Sequence, residues 1–133
     1  FAHNCLMIIA VDLGKKTTGI AISDSTIATP YKTITHTNLA NAVTKISKIC
    51  EEENVTKVVV GFVEGKIKSY FLDFAQKLKE KLPQVEIVMW DETLTSQQAL
   101  ETMINIKLPK NKRRQREHEI AASLILQSYL DNQ

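Results

Sequence analysis

The stretch LMIIAVDLGKKTTGIAIS, Leu6 to Ser23, decides how the rest of the chain is read. Its first eight residues are apolar apart from Asp12 and rich in branched side chains. They are too few for an ordinary helix, so they read as a buried strand. Gly14 breaks the run, and TGIAIS (18–23) resumes it after a tight connection. The consequence is an antiparallel pair with one acid, Asp12, at the end of a buried strand. A carboxylate in that position is costly unless it is paired or holds a cation.

Working outward, a third strand is expected around Tyr31 to Thr35, with Pro30 at its start, where a missing N–H is tolerated. Thr37 or Asn38 can cap a helix running to about Glu53, because Leu39, Val43, Ile46 and Ile49 or Cys50 recur at helical spacing. KVVVGF (57–62) and VEIVMW (85–90) read as further buried strands. Between them residues 68–81 form an amphipathic pattern that Pro83 ends. Thr95 or Ser96 can cap a helix to about Ile104, and 117–130 is the last helix. The order β-β-β-α-β-α-β-α-α implies an α/β fold. Its five-stranded mixed sheet combines a three-strand antiparallel meander with two parallel strands, flanked by helices. Without repeat, low-complexity tract or linker, residues 7–133 read as one domain.

Composition bounds the function. A chain of 133 residues buries roughly 68% of its unfolded surface, enough for a core without metal or disulfide staples. The two cysteines, Cys5 and Cys50, lie far apart, which excludes a CxxC site and fits a reducing cytoplasm. No apolar run approaches the ~20 residues of a membrane helix. FAHNCL ahead of Met7 lacks a basic start and a long apolar stretch, so it does not read as a signal peptide. Met7 is expected as the natural start, with residues 1–6 a cloning remnant or a disordered leader.

Charge is unevenly spread. KLPKNKRRQR (107–116) holds Lys107, Lys110, Lys112, Arg113, Arg114 and Arg116, which include every arginine of the chain, and no acid. The remainder is net acidic. Such a run is either a solvated loop or an arm that contacts phosphates.

The acids have a pattern of their own. Asp12 ends the first strand, and Asp91 and Glu92 follow the last one. If these strands run parallel, all three fall on the carboxyl edge of the sheet, where α/β proteins bind ligands. Converging carboxylates suit Mg²⁺ or Mn²⁺, which take oxygen ligands. The last helix opens with EHEIAA, and at about 100° per residue His118 shares a stripe with Ala122, Ile125 and Tyr129. His118 is therefore expected on the inward face at the N-terminal end, with Glu117 and Glu119 to either side. It is either a packed core histidine or a neutral group able to bind metal or accept a proton.

Taken together, IIAVDLGKKTTGIAISD, IATPYKTI, KVVVGF, VMWDETLTSQQA and EHEIAASLILQSYL resemble the YqgF family, also called RuvX, over nearly the whole chain from Met7. The resemblance implies an RNase H-like fold and a nuclease, either of Holliday junctions or of the 5′ end of 16S ribosomal RNA. By position it carries the family's metal-binding acids to Asp12 and Glu92, with Asp91 as a further candidate. Where the family has a third aspartate, this chain has His118. Other departures are Thr93 in place of an arginine, Lys15 in place of a threonine beside a matching Lys16, and the shortened segment GFVEGKIK.

The expected mechanism is phosphodiester hydrolysis assisted by one or two Mg²⁺ at Asp12 and Glu92, with His118 completing the site as ligand or water-positioning group. Lys16, Lys110, Lys112, Arg113, Arg114 and Arg116 are expected to engage the nucleic-acid backbone. Two other readings stand beside it: an RNA- or ribosome-binding protein whose site has decayed, and an actin-like ATPase, for which one short domain lacks the second half. The expected partners are pre-rRNA or branched DNA rather than a membrane, with the protein a monomer or homodimer.

Overall fold

The computed structural model describes residues 6–63, 68–92 and 116–133. Five strands, β1 (Met7–Leu13), β2 (Thr17–Ser23), β3 (Thr29–Thr35), β4 (Val55–Phe62) and β5 (Glu86–Asp91), form one sheet in the order β3-β2-β1-β4-β5. β1 pairs antiparallel with β2 and parallel with β4, and β4 pairs parallel with β5. β2 and β3 close the meander. The expected mixed sheet is therefore present, with β1 at its centre. Three described helices cover it: α1 (Leu39–Glu52), α2 (Lys68–Lys81) and α3 (Glu117–Asp131). The helix expected over 95–104 and the segment around 64–67 lie outside the described residues.

Local chemistry explains the element ends. Asn38 caps α1, its side-chain oxygen accepting from Asn41 N at 2.8 Å. Asn54 takes a left-handed φ of 55°, a conformation asparagine tolerates better than most residues. It turns the chain so that β4 starts at Val55, two residues earlier than the apolar run suggests. Pro30 lies on the edge strand β3, where the sheet does not require its missing N–H.

Strand alternation splits the core in two. Ile9, Val11, Ile20, Val58 and Val60 face α1 and α2, meeting Val43, Ile46, Phe74 and Leu78. The opposite face is built of smaller residues, Ala10, Ala21 and Val59, under Ala122, Ile125, Leu126 and Tyr129 of α3. The small side chains let α3 lie close to the sheet. Trp90 finishes this layer, its ring edge-on to Tyr129 at 5.4 Å and its Nε1 donating to Ser128 Oγ at 3.2 Å.

Gln127, fully buried on α3, ties the β2–β3 connection down. Its Oε1 accepts from Ala28 N at 2.9 Å, and its Nε2 donates to Thr26 O and Asp131 Oδ1. Gln127→Leu keeps the volume but leaves Ala28 N–H without this partner. It should cost about 1–3 kcal/mol, read as a lower urea midpoint with unchanged slope. An unchanged midpoint would show that the connection holds without the staple.

Candidate active site

The carboxyl ends of β1, β4 and β5 bring Asp12 and Glu92 together. Asp12 sits on the same side of β1 as Ala10, and Glu92 on the same side of β5 as Val88 and Trp90, which is the face covered by α3. Glycines stand where neighbouring side chains would intrude. Gly19 is Asp12's partner on β2, and a Cβ there would lie 1.9 Å from the backbone oxygen of His118. Gly61 follows Val60, which pairs with Val11. A Cβ at Gly61 would lie 2.6 Å from Ile125 Cδ1 and 3.2 Å from Glu92 Oε1. One glycine thus admits the first turn of α3, and the other admits the Glu92 side chain.

Glu92 is half-buried, and its carboxyl is raised from its ordinary 4.5 to about 7. Burial is the largest cause, followed by the negative charge of Asp12, a hydrogen bond to Asp12 and the charge of Asp91. Two carboxylates pressed together in this way favour a shared proton or a cation between them. The donor set is all oxygen, which suits Mg²⁺ or Mn²⁺. Asp91 closes β5 opposite Phe62; alternation turns it to the face of Met89, away from Glu92. Its negative charge acts on Glu92.

His118 differs from its expected placement. Its side chain is 48% exposed, whereas its neighbour Glu119 is the buried residue of the first turn. The physical reason is an ion pair: Arg116 binds Glu119 and also donates to the carbonyl of Pro30 on β3. Burial of Glu119 is thereby compensated. His118 still shares the stripe of Ile125, which faces Gly61, and its backbone lies over Asp12's partner Gly19. Glu117 Oε1 is 3.9 Å from His118 Nε2. Among the described residues no three His, Cys, Asp or Glu side chains converge as a metal site, so His118 does not join Asp12 and Glu92 in one cluster.

Of the expected phosphate-contacting residues, Lys16 is exposed in the β1–β2 connection beside Lys15. Arg116 is engaged within the fold, as described. Lys110, Lys112, Arg113 and Arg114 lie outside the described residues. Residue patterns alone missed Gly19, Gly61 and Tyr70, whose hydroxyl donates to Gly14 O at 2.9 Å and ties α2 to the site. An isolated glycine within a strand pattern is the signal that could have found the first two. Among the described residues no helix is long and apolar enough to cross a membrane.

Comparison with known proteins agrees with this geometry. A family model described as "RuvX: Holliday junction resolvase" matches residues 6–132. A relative from Clostridium tetani, provisionally named a pre-16S rRNA nuclease, is 38% identical over 135 residues, spanning 96% of this chain and 97% of its own. One from Caldanaerobacter subterraneus with the same provisional name is 37% identical over 137 residues, with 96% and 98% covered. Among solved structures, Thermus thermophilus RuvC in complex with a Holliday junction superposes with a TM-score of 0.63 at 11% identity, over 96% of each chain. The fowlpox virus Holliday junction resolvase gives 0.60 at 15%, over 96% of this chain and all of its own. These similarities show the RNase H-like fold of the resolvases. With the family model and the relatives both spanning nearly the full length, the chain belongs to the RuvX family.

Proposed function

We propose that the protein is a divalent-metal-dependent nuclease whose substrate is the 5′ end of the 16S ribosomal RNA precursor. The observation that carries this reading is the Asp12–Glu92 pair at the carboxyl edge of the sheet; the provisional names of the relatives supply the substrate. Asp12 and Glu92 would hold Mg²⁺ or Mn²⁺, with the charge of Asp91 adding to the attraction. Bound there, the metal would supply Lewis-acid stabilisation of the phosphate and a more acidic water. Lys15 and Lys16 lie exposed beside Asp12 and would steer the phosphate backbone to it. The half-exposed imidazole of His118 would accept or relay a proton from solvent rather than act as a ligand. In this reading residues 7–133 work as one cytoplasmic unit, with the basic run 107–114 as an additional backbone contact.

The family description favours a second reading, resolution of Holliday junctions. One experiment separates the two. A 16S precursor with its 5′ extension and a four-way DNA junction are each offered to the purified protein with Mg²⁺. The expected result is cleavage of the precursor, lost on chelation and restored by added Mg²⁺ or Mn²⁺, with the protein monomeric. Paired, symmetric cuts in the junction by a dimer would favour resolution. Binding of both substrates without cleavage under either metal would overturn the enzymatic reading in favour of an RNA-binding role.

A further inference from the structure

The acid pair lines an open cavity of about 270 Å³ whose apolar part the chemistry above does not use. Its wall is apolar: Leu13 from β1, Val63 after β4, and Tyr70 and Phe71 from the first turn of α2. Asp12, Glu92, Gly14 and Lys15 also line it. The two aromatic rings meet edge to face, 6.0 Å apart with 75° between their planes. The Tyr70 hydroxyl is already committed to Gly14 O, so both rings present hydrocarbon rather than hydrogen-bonding groups.

Resting on the nuclease reading, we propose that this cavity receives one unstacked nucleobase of the strand being cut. Three observations favour that occupant. The volume sits at the small end of ligand clefts, which run from about 300 Å³ upward; it suits a single ring system better than a whole nucleotide. Among the described residues the wall carries aromatic surface without free side-chain donors or acceptors to read a base edge, the arrangement that stacks any base with little sequence preference. The same cavity is lined by a lysine and the acid pair, so the phosphate attached to a base in it would lie at the reactive edge. A free apolar ligand would gain nothing from those charges, and a sugar would find no polar partners in the wall. The substrate must therefore be unpaired at the cut, because a base held in a duplex has first to leave its stack, at a cost of a few kcal/mol. An RNA 5′ extension meets this condition more easily than a continuous duplex.

The test uses the whole protein and a single-stranded RNA carrying 2-aminopurine at successive positions, bound in Ca²⁺ to read stacking without turnover. Fluorescence should be quenched at one position, and Phe71→Ala should remove the quench there alone. An abasic residue at that position should slow Mg²⁺-dependent cleavage by wild type about 5- to 150-fold, the equivalent of one stacked base. The same abasic residue should have no further effect in Phe71→Ala. Phe71→Leu, which keeps apolar volume, should preserve the melting temperature but not the quench. If RNA is cut normally while no position is quenched and the abasic strand is cut as fast as the intact one, the cavity proposal is overturned. If quenching occurs without cleavage under any metal, the cavity stands and the nuclease reading falls.

Discussion

Glu92→Gln should abolish metal-dependent cleavage and make the metal-free protein more stable at pH 8. The first effect follows from removing one of two carboxylates that would hold the cation. Loss of several kcal/mol of transition-state stabilisation corresponds to ~10³-fold or more in rate, and Asp12→Asn should match it. The second follows from the displaced titration of Glu92, from 4.5 to about 7. A group whose carboxyl is raised in the folded state supports folding while protonated. That support is complete below about 4.5 and is lost as pH climbs through about 7. Metal-free wild type should therefore weaken across that window, and Glu92→Gln should not. For a group sealed from water such a shift would be worth about 3 kcal/mol; at a half-buried site about 1–2 kcal/mol is expected. Asp12→Asn should recover less, because burial, the largest cause, remains. Urea unfolding at pH 5 and pH 8 with chelator checks this. A Glu92→Gln protein no more stable than wild type at pH 8 would mean that the two acids do not strain the fold.

Gly19→Ala should both destabilise the protein and impair the site, although it adds one methyl group to a strand. The new Cβ would meet the His118 carbonyl at 1.9 Å from its oxygen and 2.2 Å from its carbon, with Glu119 N at 2.9 Å. These are backbone atoms, so no rotamer change relieves the collision and α3 must shift bodily. Overpacking of this kind costs about 1–3 kcal/mol, a fall of roughly 3–10 °C in melting temperature for a chain of this size. Moving the first turn of α3 also moves His118 and the Arg116–Glu119 pair. A displacement near 1 Å at an active site can cost about 10²-fold in rate. Gly61→Ala is the control: its Cβ meets a flexible Ile125 methyl at 2.6 Å, so its stability loss should be the smaller. Equal melting temperatures for Gly19→Ala and wild type would show that α3 does not press on β2 as described.

Four of the strands were legible because each holds a short run of branched apolar residues closed by a glycine, proline or polar residue; β3, TPYKTIT, holds only Ile34 of that kind. Asp12 and Glu92 could be placed on one edge because parallel crossovers fix which ends of β1, β4 and β5 lie together. His118 was misplaced for a specific reason. The helical stripe through Ala122 and Ile125 predicts which residues face the sheet, but not where the sheet stops. Level with the last residues of β1 little remains to cover a side chain, and His118 is left half-exposed. Glu119 is buried instead because Arg116, three residues before it and itself held by the Pro30 carbonyl of β3, pairs with its carboxylate; the Arg116–Pro30 contact spans 86 residues, and no local pattern encodes it. The cavity by α2 was equally hidden, since the amphipathic pattern of 68–81 does not single out Tyr70 and Phe71.

The position of α3 has a consequence for how the chain comes into being. Among the described residues, the side of the sheet with Ala10, Ala21 and Val59 at its centre is covered by a helix that follows all five strands in the sequence. Because a domain generally folds as a unit, the layer under this face is completed only once residues 117–131 are available. Until then α3 leaves its part of that apolar surface uncovered. In the proposed reading, where His118 handles a proton beside the acid pair, docking of α3 would also complete the site.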